Sequence, residues 1–390
     1  MVRFRWFQWL VMACACVGAV SASAADEWGE IVIPDGKPIK IGLGAMLSGG
    51  YATLGIDIRN AVEMAVGEKG RILGHLLDLQ AEDDQCEGAP SVAIAEKFCN
   101  DPLVAGVVGY MCSGGSIPAS DIHNKYKLVM ISPSSTSLEL TNRGIPVFFR
   151  TCWNDKIQGE AGAVYALKKN WTQVAVLHDK SAYGQGLADE FKRHILGSGG
   201  KVLAHEGLTR GDKDFTPVLT VIKPLNPQLV YFGGMAAEGA LLVRQMRRAG
   251  IKAKFMSDDG CYTEKDFIQG AGKASRGAYV TYAKTPEAER FSSWVKRFEA
   301  KYGPRQTFSP QSYDATNILM AAIERTARKG EDGRLIIGKK ALRDAVASTE
   351  YDGVTGRVAF DEYGDRSGSV VAVNVVACEK GACFFKEVED

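Results

Sequence analysis

From residue 39 onward, short apolar runs alternate with longer segments of helical period. The runs are IKIGLGAM, LLDLQA, VAGVV, LVMIS, VFFR, VAVLH, KVLAH, LVYFGG, KFMS and AYVTY. Between and after them, apolar residues recur at helical spacing over 56–68, 90–98, 117–126, 157–169, 187–196, 216–223, 236–249 and 291–302. Strands that alternate with helices are joined by right-handed crossovers, which predicts α/β architecture around parallel sheets. The chain has 390 residues, more than one ordinary core accommodates, and so predicts two domains of about 150 residues each. No low-complexity tether and no internal repeat separates them.

In an open α/β sheet, ligands bind beyond the carboxyl ends of the strands. The loops that follow the apolar runs are therefore the candidate site. They are LSGGYATLG (47–55), DDQCEG (83–88), CSGGS (112–116), SPSSTS (132–137), DKSAYGQG (179–186), GGMAAE (233–238) and SDDGCY (257–262). Their hydroxyls, together with free N–H groups at helix N-termini, favour an anionic group.

Charge excludes other partners. Lys and Arg number 47 against 46 Asp and Glu, a formal net charge of +1, so nothing argues for nucleic acid or an anionic membrane surface. With 46% apolar and 24% charged residues the composition is that of a soluble globular protein.

The N-terminus reads as a targeting segment. A basic MVRFR precedes the apolar WFQWLVMACACVGAV, and Ala22-Ser23-Ala24 offers a small-residue cleavage site before Ala25. The apolar stretch is shorter than the ~20 residues a spanning helix needs. The expectation is a signal peptide over 1–24, with a lipoprotein signal at Val11-Met12-Ala13-Cys14 as the weaker alternative. Export implies an oxidising compartment. Of nine cysteines, two lie in the leader, leaving Cys86, Cys99, Cys112, Cys152, Cys261, Cys378 and Cys383. An odd number leaves at least one thiol free. Cys378 and Cys383 flank EKGA between β-rich runs, the spacing of a cross-strand hairpin bridge.

Enzymatic readings fail on geometry. GYMCSGGS (109–116) resembles a nucleophile on a strand–helix turn, but that elbow needs Gly two residues before the nucleophile. Tyr110 stands there for Cys112, and Met111 for Ser113. Of five histidines, only His178 ends a strand where a base would be useful. No CxxC, HExxH or tight His/Cys cluster marks a metal site, and Glu82-Asp83-Asp84 lacks the spacing of a calcium loop. No GxxxxGK[ST] is present, and GLGAML lacks the third glycine of a dinucleotide fingerprint. Neither catalysis nor a cofactor is expected.

The ordered set DDQC, GYMCSGGSIPASDI, LVMISPSSTSLELTNRG, FFRTC, VAVLHDKSAYGQGLADEF, GDKDFTPVL, LVYFGG and FMSDDG resembles the periplasmic solute-binding proteins for leucine, isoleucine and valine that serve ABC importers. The similarity covers about 39–360. It implies a type I periplasmic binding protein fold, two doubly wound α/β lobes joined by three hinge crossings near 150–151, 283–284 and 360–361. Lobe 1 is then 25–151 plus 284–360, and lobe 2 is 152–283 plus 361–390.

The resemblance also implies residue roles. Ser113 sits where the family binds an α-carboxylate. Ser134 and Thr136 sit where a carbonyl and a hydroxyl meet the ammonium and carboxylate. Tyr183 matches a tyrosine of the second lobe, and Asp259 an acid that balances the ammonium. Cys112 matches a cysteine bridged to Cys86. Leu54 and Met235 depart from the family, which carries rings there; their loss leaves Tyr51, Trp153 or Tyr262 to compensate. The implied function is a periplasmic, monomeric binding protein. It takes a small carboxylate-bearing solute, first an aliphatic branched-chain amino acid, and delivers it to an inner-membrane ABC permease. A binder of an aromatic carboxylate or amide, or a soluble sensor docking on a receptor, are the alternatives. The pairing of Cys99, Cys152 and Cys261 stays open.

Overall fold

Two sheets carry the alternation. The computed structural model describes residues 26–388 apart from 285 and 287, so the expected leader and its cleavage site lie outside the described residues. In the first sheet six strands stand in the order Arg71–Ile72, His75–Asp83, Ile39–Ala45, Val104–Gly109, Met130–Ser132, Phe148–Arg150. The last five run parallel, while Arg71–Ile72 folds back antiparallel on His75–Asp83. The second sheet has seven strands, in the order Ala382–Glu387, Val371–Glu379, Tyr279–Ala283, Lys254–Ser257, Leu229–Gly233, Gln173–His178, Lys201–Gly207. Five are parallel, and the C-terminal hairpin joins antiparallel at one edge. Val104–Gly109 and Leu229–Gly233 are buried at every residue. That explains their unbroken apolar runs, because helices cover both faces of a parallel sheet.

The expected helices are present, and most begin earlier than apolar period alone suggests. Ser113–Tyr126 starts with Ser-Gly-Gly-Ser, a turn without an apolar residue, so the periodic signal begins only at 117. Ser309–Thr326 is a further helix, outside the segments picked out by apolar period. Ser309, Gln311, Ser312, Asp314 and Thr316 are buried along with its apolar residues, so its buried face is wider than its apolar one.

The chain leaves the first sheet after Arg150, leaves the second after Ala283, and re-enters the second at Val371. Between the last two passages, Ser309–Thr326 packs beside Ala52–Lys69 and against the first sheet, with Leu319 filling the space over Gly106. Two disulfides are present among the described residues. Cys86–Cys112 links the loops after His75–Asp83 and Val104–Gly109, and Cys378–Cys383 joins directly opposed residues of the C-terminal hairpin. Cys99, Cys152 and Cys261 are free thiols. No helix of the described residues is long and apolar enough to cross a membrane.

Candidate functional site

Strand-end loops of both sheets border one cavity of about 50 Å³. From the first sheet's side come Leu54, Met111, Ser113 and Ser134; from the second come Ser181, Tyr183, Met235 and Asp259. The parallel order puts these loops at the same end of their strands, where helix N-termini gather.

Ser113 opens the helix Ser113–Tyr126, whose first N–H groups have no intrahelical acceptor. Its hydroxyl accepts from the Ser137 N–H at 3.2 Å. Ser134 donates to the Met111 carbonyl at 2.7 Å. Beneath them three hydroxyls, Ser132, Ser135 and Ser116, donate to the Tyr110 carbonyl at 2.8, 3.0 and 3.1 Å. The serine-rich loop is thereby stitched to the GYMCSGGS turn, which the Cys86–Cys112 disulfide holds from the other side. Arg150, fully buried, donates to the Ser135 and Ser137 carbonyls at 2.9 Å each and pairs with Asp365. One guanidinium thus ties the loop to two of the three passages between sheets.

Across the cavity, Tyr183 lies in the first turn of Ala182–Gly197, capped by Ser181, whose hydroxyl accepts from the Gly184 N–H at 2.9 Å. The Gly260 N–H donates to the Tyr183 hydroxyl at 2.9 Å. Gly260 has no room for a side chain, since a Cβ there would lie 2.5 Å from the Gly234 carbonyl oxygen. Asp258 accepts from the Gly234 N–H at 3.0 Å and from the Gly260 N–H at 3.2 Å. Asp259 is buried on the cavity wall, and its Oδ1 has no hydrogen-bond partner among the described residues. Burial pushes Asp259 up to about 6, and burial with the neighbouring Asp259 charge pushes Asp258 well above the carboxylate range.

The sequence-predicted residues divide as follows. Ser113, Ser134, Tyr183, Asp259, Leu54 and Met235 border the cavity. Thr136 does not. It is fully buried, its hydroxyl without a partner among the described residues and its carbonyl accepting from the Asp155 N–H at 2.9 Å. Tyr51 stands off the wall, where it contacts Arg210 and Glu238. Trp153 and Tyr262 also stay off it: Trp153 packs on Phe308 with ring centroids 5.9 Å apart, and Tyr262 stacks on Tyr282 at 4.1 Å. Besides Tyr183, the ring on the wall is Phe308, which sequence reasoning missed because it precedes a helix that the apolar period did not pick out.

Arg210 was missed as well. It borders the cavity from LTRG, just ahead of GDKDF, but one charged loop residue has no distinguishing local signal. Its guanidinium lies 5.1 Å from the Tyr51 ring centroid, 3.8 Å from Asp179 and 4.0 Å from Glu87. His178 borders no part of the cavity; it accepts from the Lys180 N–H at 3.2 Å and packs near His205. Asp83 and Asp84 accept from loop N–H groups of Leu47, Gln85 and Cys86, a loop-capping role. Among the described residues no group of His, Cys, Asp and Glu could hold a metal ion.

Comparison with known proteins places these features in context. Residues 38–381 match a family model described as periplasmic binding protein. A leucine-, isoleucine-, valine-, threonine- and alanine-binding protein of Pseudomonas aeruginosa is 34% identical over 362 residues, covering 91% of this chain and 92% of the relative. Among solved structures, a leucine-binding protein from Thermotoga maritima superposes with a TM-score of 0.80 at 27% identity, over 89% of this chain and 97% of that one. A branched-chain amino acid transporter substrate-binding protein from Streptococcus pneumoniae, in complex with isoleucine, gives 0.76 at 25% identity, over 90% and 100%.

Proposed function

Because this chain belongs to the periplasmic binding protein family, we propose that it binds an aliphatic amino acid between its two lobes and delivers it to a membrane permease. As a member of a family of solute-binding proteins it is not an enzyme. The solute's carboxylate meets Ser113, Ser134 and the N-terminus of Ser113–Tyr126, where N–H groups and the helix dipole favour a negative charge. Its ammonium meets Asp259. Its side chain lies against Leu54, Met111, Met235 and Phe308, and the small cavity suits a short aliphatic group.

One observation carries this reading. Asp259 is a buried carboxylate with an oxygen lacking a partner, in the same cavity as a helix N-terminus. A buried unpaired acceptor is costly, and a zwitterion spanning the two poles relieves both. The lobes are proposed as 25–151 plus 284–360 and 152–283 plus 361–390, hinged at the three passages. The protein works as a monomer in the periplasm.

A thermal-shift series tests the reading. L-leucine, L-isoleucine and L-valine should raise the melting temperature, while 4-methylpentanoate and isopentylamine, each missing one charge, should not. Equal stabilisation by 4-methylpentanoate and leucine would remove the ammonium site. Stabilisation by benzoate or benzamide but not by leucine, lost in Ser113→Ala, would favour the aromatic ligand class in this cavity instead.

A further inference from the structure

A second cavity, of about 840 Å³, lies where the chain passes between the sheets. Trp153 from the first passage, Lys284 from the second and Arg366 from the third border it. It is separate from the amino-acid cavity, but Trp153 stacks on Phe308, which borders the other one.

Its charge is one-sided. Lys284, Arg305, Arg357 and Arg366 border it, and no acidic residue does among the described residues. Lys284 and Arg357 have acids beside them, Glu387 at 3.9 Å and Glu350 at 2.9 Å. Arg366 is held only by neutral acceptors: the Thr151, Thr355 and Arg357 carbonyls at 3.1, 2.8 and 3.1 Å and the Thr355 hydroxyl at 2.9 Å. Arg305 donates to the Gln306 carbonyl at 3.1 Å and lies 5.3 Å from the Phe291 ring centroid. Gln311, 4% exposed, borders the cavity with a side-chain oxygen that has no partner among the described residues.

Arg305 and Arg366 have no carboxylate in ion-pair contact among the described residues, although the buried Asp57 and Asp314 act on their charge from farther off. Set among the rings of Trp153, Tyr282 and Phe291, they match an anion with an apolar body. We propose that this cavity is a second binding site, for a small aromatic carboxylate whose anionic group meets Arg305 and Arg366 and whose ring packs on Phe291 and Trp153. A bare phosphate or sulfate leaves the rings unused and binds more weakly. Because the wall draws on all three passages, its shape changes when the lobes rotate. Occupancy therefore favours one lobe arrangement and shifts affinity at the first cavity, with reciprocal effect.

Equilibrium dialysis of radiolabelled benzoate against the mature chain tests this. Benzoate should bind, benzylamine should not compete, and Arg305→Gln should weaken binding about tenfold or more. Arg366 also holds three carbonyls, so its removal threatens the fold and Arg305→Gln is the decisive variant. Ser113→Ala and Asp259→Asn, which alter the first cavity, should leave benzoate binding within about twofold. The proposal is overturned by three results: no binding at about 10 mM benzoate, equal binding by Arg305→Gln, or loss of binding in Ser113→Ala. The last would put benzoate in the first cavity. Failure of the amino-acid reading is separate, since that is judged by the response to leucine and not to benzoate.

Discussion

The Tyr51 hydroxyl donates to Glu238 Oε2 at 3.2 Å, across 187 residues of sequence. Tyr51 precedes the helix Ala52–Lys69 beside the first sheet, and Glu238 lies in the first turn of Ala236–Arg248 beside the second. Glu238 also accepts from the Gly211 N–H at 3.0 Å, next to the Arg210 guanidinium over the Tyr51 ring. This cluster bridges the lobes next to the cavity. Tyr51→Phe removes one hydrogen bond between the two sides of the cavity. It should cost about 1 kcal/mol, roughly a fivefold loss of solute affinity, expressed in faster dissociation. Stopped-flow kinetics would show it; an unchanged off-rate would mean that the bond does not hold the lobes together.

On the proposed reading, Asp259 makes a different kind of contact, one with the solute. Asp259→Asn keeps the shape of the side chain and removes its charge. Binding of L-leucine should fall by about 2 kcal/mol or more, near thirtyfold, because a buried ammonium loses its counter-charge. Binding of a plain carboxylic acid, already weak, should change far less. Calorimetry that finds equal losses for both would sink the ammonium assignment.

Acidity should act in opposite directions on stability and on binding. Burial raises Asp57, Asp84 and Asp259 to about 6 and Asp155 to about 7. These four carboxyls make the folded chain hold more protons than the unfolded chain between about pH 4 and 7. Burial lowers His123 to about 4 and opposes them in part, but the carboxyls outnumber it, so stability falls as pH rises through that window of about pH 4 to 7. Each unit of pKa difference corresponds to about 1.4 kcal/mol. The ligand-free melting temperature should be higher at pH 5 than at pH 8, and Asp155→Asn should flatten the trend. Amino-acid affinity should instead weaken from pH 7.5 to pH 5, as Asp259 takes up its proton.

The two disulfides should differ in worth. Cys86–Cys112 spans 26 residues and Cys378–Cys383 spans 5. Chain entropy gives about 3.5 kcal/mol for the first and about 2 kcal/mol for the second. Replacing Cys86 and Cys112 together by serine should lower the melting temperature more than replacing Cys378 and Cys383. It should also weaken solute binding, because that bridge holds the turn bearing Ser113. Equal shifts in chemical or thermal unfolding would mean that the entropic difference does not govern here.

Much of this arrangement is legible in the residues alone. Val104–Gly109 and Leu229–Gly233 announce themselves because buried parallel strands need unbroken apolar runs. Cys378 and Cys383 are legible as a pair because a hairpin brings residues of that spacing face to face. Ser309–Thr326 was not read as a helix, and the burial of its polar residues Ser309, Gln311, Ser312, Asp314 and Thr316 is invisible in the sequence. Phe308 and Arg210 are hidden for a related reason. A ring before that helix, or a cation in a loop, looks the same whether it faces solvent or a cavity.

Local periodicity and turn chemistry, acting within ten or twenty residues, determined by themselves the strand–helix order and the loops at the strand ends. They placed Ser113, Ser134, Tyr183 and Asp259 at those strand ends, in loops or in the first helical turn that follows. Only the tertiary structure decided that these four border one cavity while Thr136 lies buried off its wall and Tyr51 bridges beside it. It also decided that Phe308, not Trp153 or Tyr262, joins Tyr183 as a ring on the wall. Those outcomes depend on how two separately twisted sheets meet. That meeting is set by packing between residues hundreds of positions apart, which no local pattern encodes.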